Sequence, residues 1–152
     1  MAELNRKFSI LLIVLACLWF GLLAGVSFLA TPVKFLAPSL SLPVALDVGR
    51  QTFAFLNPVE LLFAGLLLFG AGMGLKKIGA GRWELLLSGI LLSLVLSQTL
   101  WLLPLLDSRV EVILQGGMPE ASGMHQLYIG VDVLKLCLLG LIAGRQLGYL
   151  LK

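Results

Sequence analysis

Residues 8–29 read FSILLIVLACLWFGLLAGVSFL and contain no charged side chain. An α-helix rises 1.5 Å per residue, so about 20 residues cross the ~30 Å hydrocarbon core of a bilayer, and this stretch is long enough to do so. Of the 152 residues in the chain, 59% are hydrophobic and only 12% are charged. A chain this short has too little interior to hide so much apolar surface from water. The composition therefore predicts an integral membrane protein, and it excludes a soluble enzyme, a disulfide-linked secreted module and a disordered tail.

Three further stretches are apolar enough to span a membrane. The third candidate span contains no charge after Glu84, and Trp83 and Trp101 would lie near opposite interfaces, as in an aromatic belt. The uncharged residues between Glu60 and Lys76 are too few to cross a bilayer, so the second span must include Glu60. We predict a single domain over residues 1–152 that folds as an all-α, antiparallel four-helix transmembrane bundle. Its spans are expected at about 8–29, 58–75, 84–106 and 126–147.

The lysine and arginine residues predict the orientation of this bundle, because cytoplasmic loops carry an excess of them. Seven basic residues fall at the two termini and in the loop between the second and third spans, against three in the other two loops. This predicts that both termini lie in the cytoplasm. The membrane itself is expected to be a bacterial-type inner membrane. The same sorting accounts for the net charge of +3 without a basic face, so no nucleic-acid partner is expected. The seven are Arg6, Lys7, Lys76, Lys77, Arg82, Arg145 and Lys152, and the three are Lys34, Arg50 and Arg109.

The first outer loop contains a second helical pattern. Residues 43–56 place apolar side chains on one helical face and a charged pair on another, which predicts a short interfacial helix on the outer leaflet. Asn57 and Pro58 suit the N-cap and first position of a new helix, so we expect the interfacial helix to end there and the second span to begin. Glu60 is then either part of a capping box or a buried acid.

Small residues recur at a spacing of four. Gly140, Gly144 and Gly148 do so in the fourth span. Such rows let helix backbones approach closely in a membrane, so we expect this face to pack against a neighbouring span. The alternative is a glycine hinge.

The fourth span also contains the polar residues that are most suggestive of function. His125, Tyr128, Asp132 and Lys135 fall on one face, within an arc of ~80° at 100° per residue. Ionisable side chains this deep in a membrane are costly and often mark function. Two interpretations stay open: a self-neutralising structural network, or a site for a small ligand or a proton. The ligand or proton site candidates are Glu60, Gln98, His125, Tyr128, Asp132 and Lys135.

Other chemistry has weaker support. Met118, Met124 and His125 form a candidate set for a soft metal such as Cu(I). His125 is the only histidine, which excludes bis-histidine haem within one chain. Cys17 and Cys137 lie in apolar runs and are interpreted as small hydrophobic residues. No phosphate-binding, dinucleotide or hydrolase motif is present, so we expect neither a cofactor nor an enzyme.

Several short motifs occur in a familiar order. Residues 25–35, GVSFLATPVKF, close the first span, Gly49 and residues 53–55 lead into the second, and residues 106–109, LDSR, follow the third. His125 and Tyr128 then enter the fourth span. This order resembles the small four-span membrane family that includes transmembrane protein 205-like proteins and bacterial relatives. The resemblance implies a four-helix membrane fold without a settled activity, and it implies that Asp107, Arg109 and His125 form a set on the outer face.

These observations predict a small polytopic membrane protein that binds a partner or a small ligand in a polar pocket in its outer half. The alternatives are an ion- or proton-coupled transporter subunit and a metal-handling membrane protein. The expected partners are the lipid bilayer and another membrane protein or a second copy of the chain.

Overall fold

A computed structural model describes residues 2–78 and 81–151 of the chain. Within these residues the fold is all-helical, and four helical stretches are long and apolar enough to cross a membrane, as predicted. We refer to them as spans 1 to 4: Arg6–Lys34, Leu42–Met73, Arg82–Leu114 and Met124–Leu150. Lys152, which contributed to the orientation prediction, lies outside the described residues. The α-helices are Ala2–Leu23, Thr31–Lys34, Leu42–Ile78, Arg82–Ser97, Leu103–Leu114 and Met124–Leu150, and two π-helical segments cover Ala24–Ala30 and Gln98–Leu102.

The spans form a helical bundle around a narrow core. Span 1 packs against spans 2 and 4, and span 3 packs against the same two spans, which closes the ring. Large apolar side chains such as Phe55, Phe69 and Leu100 point outward. This distribution is expected of an integral membrane protein, in which lipid solvates the outer surface. The buried core consists of Leu12, Ala16, Trp19, Leu23, Leu56, Ala64, Leu67, Leu87, Leu91, Val95, Leu139 and Ile142.

Span 2 does not contain the predicted break between the interfacial helix and the second span. Leu42–Ile78 is one continuous α-helix with Pro58 in its interior. Residues 43–56 are therefore the first part of the same helix, and Asn57 is not an N-cap. Glu60 cannot serve a capping box in the middle of a helix, and it is instead a buried acid with no exposed surface. Tertiary packing has here overridden the local preference of proline for the first turn.

The glycine row of span 4 does not pack against a neighbouring span, so that prediction is wrong. Gly140, Gly144 and Gly148 face outward, and a Cβ atom added to any of them would meet nothing within 4 Å. The opposite face carries the buried residues, which begin at Tyr128 and end at Gln146. Burying the charged face of this helix turns the glycine face away from the bundle, because the two lie on opposite sides.

The two π-helical segments share a local cause. The backbone N–H of Thr31 donates to the carbonyl of Val26, and that of Leu103 donates to the carbonyl of Gln98, each five residues back. Each donor directly precedes a proline, Pro32 or Pro104. Proline has no N–H and its ring crowds the carbonyl four residues earlier, which a wider turn relieves. Such π turns are frequent at functional sites. Residues that follow both of them line the same pocket, described below.

Span 3 also extends further than predicted. Leu103–Leu114 continues span 3 beyond the expected end near residue 106, so Asp107 and Arg109 lie on a helix and not in a loop. Their side chains are thereby held by the bundle, which positions them at one end of it.

Candidate functional site

A buried salt-bridge network lies at the centre of the bundle. The Lys135 ammonium lies 2.7 and 2.9 Å from the two carboxylate oxygens of Glu60 and 2.9 Å from Asp132 Oδ1. The side chains of Lys135 and Glu60 are 0% exposed and that of Asp132 is 1% exposed. The contact between Asp132 and Lys135 follows from their i, i+3 spacing. The contact with Glu60 joins span 4 to span 2.

Two further polar side chains complete this network. Trp19 Nε1 donates a hydrogen bond of 2.9 Å to Glu60 Oε1, and Gln98 Nε2 donates one of 2.9 Å to Asp132 Oδ1. Gln98 is the first residue of the second π-helical segment. All four spans therefore contribute to what we call the ionic cluster. Its members are Trp19, Glu60, Gln98, Asp132 and Lys135.

The charges of the ionic cluster do not balance. Two carboxylates and one ammonium sum to a formal charge of −1 when all three groups are ionised. Among the described residues, no second cation forms an ion pair with either carboxylate. Gln98 Oε1 is also buried without a hydrogen-bond partner. Burying a charge without a counterion in a low-dielectric interior costs on the order of several kcal/mol. The arrangement therefore favours the uptake of one positive charge.

Tyr128 connects the ionic cluster to one end of the bundle. Tyr128 lies one helical turn before Asp132 and is 3% exposed, and it lines a pocket. The Phe53 ring packs against it edge to face, with centroids 5.2 Å apart and an interplanar angle of 67°. Both aromatic rings line the pocket.

The pocket has a volume of about 210 Å³. It is lined by residues of all four spans and by Phe35 and Pro119, which lie between spans. We call the end of the bundle where it opens the pocket end. Most of the lining is apolar or aromatic, with Phe35, Phe53 and Leu103 as examples. The charged and polar side chains in the lining are Thr31, Lys34, Arg50, Asp107, Arg109, His125 and Tyr128.

Two of the cations in the pocket are already engaged. Arg50 is held by Asp47, whose Oδ1 lies 2.9 Å from Nη2, and by Glu111, whose Oε2 lies 3.0 Å from Nη1. Arg109 Nη2 donates to the backbone carbonyl of Glu120, which fixes the guanidinium without neutralising its charge. Arg50 is therefore paired, whereas Arg109 has a hydrogen-bond partner but no anion.

Lys34 differs from both arginines. Among the described residues it forms no ion pair. Its ammonium lies 5.1 Å from the centroid of the Phe35 ring. It also lies directly against Gly49, where a Cβ atom would collide with Nζ. The absence of a side chain at Gly49 therefore provides the space that this ammonium occupies.

The structure separates the predicted site residues into two groups. Glu60, Gln98, Asp132 and Lys135 meet in the ionic cluster, and Asp107, Arg109, His125 and Tyr128 line the pocket. The three residues that the family resemblance places on the outer face thus lie around one pocket.

The predicted soft-metal residues are more scattered. Met118 is 98% exposed and does not line the pocket, whereas His125 does. In the part of the chain that the structure describes, no three histidine, cysteine, aspartate or glutamate side chains come together as a metal site. Cys17 and Cys137 are free and exposed. The metal-handling hypothesis stays a prediction from the sequence.

Trp19, Lys34 and Phe53 were not singled out from the sequence as site residues, and neither were Thr31 and Arg50 of the pocket lining. Trp19 lies in the middle of a span and not at an interface, which is the usual place for tryptophan, and this position was a usable signal. Lys34 was noted only within a motif and in the charge count. Phe53 was assigned to an interfacial face. Their roles depend on how the helices are rotated toward each other.

A second ion pair occupies the opposite end of the bundle. Arg145 Nε donates to Glu84 Oε1 at 3.3 Å, and the Glu84 side chain is 2% exposed. The guanidinium carbon lies 5.9 Å from the centroid of the Trp83 ring. This pair joins spans 3 and 4, and no pocket described here includes it.

Comparison with protein-family models, with curated proteins and with solved structures finds no match for this chain. The resemblance to the transmembrane protein 205-like family accordingly stays a prediction from the motifs.

Proposed function

We propose that this protein binds a small amphipathic anion in the pocket. The observation that carries the proposal is the Lys34 ammonium, which lines an otherwise largely apolar pocket and has no acidic partner among the described residues. A half-buried cation without an acidic partner gains from an anionic ligand, and apolar walls gain most from a hydrocarbon body. A ligand with both parts satisfies both.

The other charges in the lining support an anion over a cation. Arg50 is already held by two carboxylates outside the pocket lining. Of the remaining groups, Lys34 and Arg109 are cationic and Asp107 is anionic, and none of the three forms an ion pair within the described residues. Three cations therefore line the pocket against one carboxylate, and Asp47 and Glu111 outside the lining bring the formal charge of this whole group to zero. A volume of about 210 Å³ is below the ~300–1,000 Å³ of typical ligand sites, which suits a small ligand or one end of a longer one.

The proposal includes an orientation in the membrane. With seven basic residues predicted on one side and three on the other, the spans would run antiparallel in a bacterial-type inner membrane, with both termini in the cytoplasm. The pocket end, which contains Lys34, Arg50 and Arg109, would then face the outside. Residues 43–56 would lie at the outer interface. In this orientation, a ligand would reach the pocket from the outer leaflet or from the medium beyond it.

The test is a binding measurement on the purified protein in nanodiscs. Hexanoate, hexylammonium and 1-hexanol share a hydrocarbon body and differ in charge, and calorimetric titration compares them directly. We expect hexanoate to bind best, Lys34→Met to weaken its binding at least tenfold, and Asp107→Asn to strengthen it. Arg82→Met, at an exposed cation outside the pocket, is the matched control and should leave binding unchanged. Equal binding of all three probes, or unchanged binding by Lys34→Met, would contradict the proposal.

A second candidate function is an ion- or proton-coupled transporter subunit. The specific observation in its favour is the ionic cluster, which has a formal charge of −1 and includes Asp132, one helical turn from the pocket residue Tyr128. Reconstitution into liposomes that contain a pH-sensitive dye tests it. Under an imposed potential, flux that depends on Asp132 would support this function, and flux no greater than in empty liposomes would exclude it.

A further inference from the structure

We infer that Asp132 is a proton-binding site that exchanges its proton with the pocket past Tyr128. The inference goes beyond the proposed ligand binding, because it concerns the ionic cluster and not the pocket. It starts from the charge count: Glu60 and Asp132 carry two negative charges, Lys135 carries one positive charge, and all three are buried. One added proton makes the cluster neutral, which removes the penalty for an uncompensated buried charge.

The hydrogen bonds assign that proton to Asp132 and not to Glu60. Both oxygens of Glu60 accept from Lys135, and Oε1 also accepts from Trp19, so the ionised form of Glu60 is stabilised by three hydrogen bonds from two groups. Both contacts of Asp132 are made by Oδ1. In the described part of the chain its Oδ2 accepts no hydrogen bond. The ionised form of a carboxylate that accepts fewer hydrogen bonds is stabilised less, so we assign the proton to Asp132.

Among the described residues, the neighbouring spans bring no further charged group up to Asp132. Span 1 contributes Trp19 to the cluster, span 2 contributes Glu60, and span 3 contributes Gln98. Span 4 itself contributes Tyr128 and Lys135. The remaining charged groups on this side line the pocket or bind one another there, namely Lys34, Asp47, Arg50, Asp107, Arg109 and Glu111.

A proton fits this site better than a metal ion does. In the ionic cluster Gln98 Oε1 is the buried oxygen without a hydrogen-bond partner among the described residues, whereas hard cations such as Ca²⁺ take about 6–8 oxygen ligands. The Lys135 ammonium, 2.9 Å from Asp132, would also repel a bound cation. A proton needs only one oxygen and forms a neutral acid.

Tyr128 places the pocket next to Asp132 along span 4. It lines the pocket and precedes Asp132 by one helical turn. Toward the opposite end, Leu139 follows Lys135 by one turn and packs in the buried apolar core with Leu67 and Leu91. A proton therefore exchanges with the pocket more readily than through this apolar layer.

Infrared spectroscopy of the protein in nanodiscs tests the assignment, because a protonated carboxylic acid gives a carbonyl band that is resolved from carboxylate bands. Near neutral pH we expect one buried acid in the wild type, none in Asp132→Asn and two in Lys135→Met. Carboxyl labelling of aspartate with ¹³C should shift the wild-type band, and labelling of glutamate should not. Glu120→Gln, at an exposed carboxylate outside the ionic cluster and outside the pocket lining, is the matched control and should leave the band in place.

Several outcomes would overturn the inference. They are the absence of the band in the wild type, its persistence in Asp132→Asn, or a shift on glutamate labelling only. The route has its own readout: Tyr128→Phe keeps the ring but removes the hydroxyl, and it should slow deuterium exchange of the band at least tenfold. An unchanged exchange rate would exclude the path past Tyr128. None of these results depends on hexanoate binding, so failure of the ligand proposal is distinguishable.

Discussion

Lys135 Nζ lies 2.7 Å from Glu60 Oε1, although 75 positions separate the two residues in the chain. Neither side chain has any exposed surface, so the contact is sealed from water and from lipid. It links span 2 to span 4 at the depth where each charge alone would be most costly. The contact therefore explains how the bundle tolerates these two charges. It also explains why the rotation of spans 2 and 4 relative to each other is defined.

Replacing Lys135 by methionine is expected to destabilise the protein strongly. The substitution keeps most of the side-chain volume but leaves Glu60 and Asp132 without a cation. Removing one partner of a buried ion pair costs about 3–5 kcal/mol, and thermal unfolding in detergent would measure the loss. The triple replacement Glu60→Gln, Asp132→Asn and Lys135→Met should recover most of the stability.

Arg82→Met serves as the control for this series, since Arg82 is an exposed cation outside the ionic cluster. If Lys135→Met melts at the wild-type temperature, the salt-bridge network contributes nothing to folding. If the triple variant recovers stability but not ligand binding or proton uptake, the charges serve a function beyond folding.

Gly49→Ala is expected to weaken hexanoate binding several-fold. The added Cβ atom would collide with the Lys34 ammonium and displace it from the position it holds in the pocket. Calorimetric titration in nanodiscs is the measurement. Gly65→Ala, where an added Cβ atom meets nothing within 4 Å, is the matched control in the same span. Equal affinities of the two variants would show that the position of Lys34 is not important for binding.

Gly144→Leu is expected to leave the stability of the protein nearly unchanged, because the glycine faces away from the bundle. Gly70→Leu should destabilise it by about 1–3 kcal/mol, the usual cost of overpacking. At Gly70 even a Cβ atom would lie 3.1 Å from Leu12 Cδ2. Thermal unfolding of the two variants in the same detergent compares them. Marked destabilisation by Gly144→Leu would mean that another chain packs on this face.

The orientation is tested by reporter fusions. A reporter inserted between Lys77 and Gly79, or fused after Lys152, should be active in the cytoplasm, because the basic residues cluster on that side. A reporter inserted near Gly117 should be active outside. Cytoplasmic activity at Gly117 would reverse the orientation and would place the pocket end inside.

The amino-acid sequence by itself determined the four spans, because apolar length is a local property that the bilayer thickness makes decisive. It also determined that Asp132 and Lys135 share a helical face and lie within reach of each other, because helix geometry makes an i, i+3 pair adjacent. Local rules were wrong where they conflicted with packing. The preference of Asn57 and Pro58 for a helix start was overridden by the continuous helix Leu42–Ile78, and the glycine row of span 4 was turned outward.

Only the tertiary structure decided which side chains from different spans meet. The Glu60 contact with Lys135, the Trp19 and Gln98 hydrogen bonds, and the pocket formed around Lys34 and Tyr128 all depend on the rotation and height of each helix. The π turns before Pro32 and Pro104 shift that rotation within spans 1 and 3. Periodicity reports which residues share a face, but the direction of that face is set by the free energy of all the helix contacts together. That free energy favours burying the charged face of span 4 against Glu60, because an unpaired charge in the membrane is more costly than an exposed glycine.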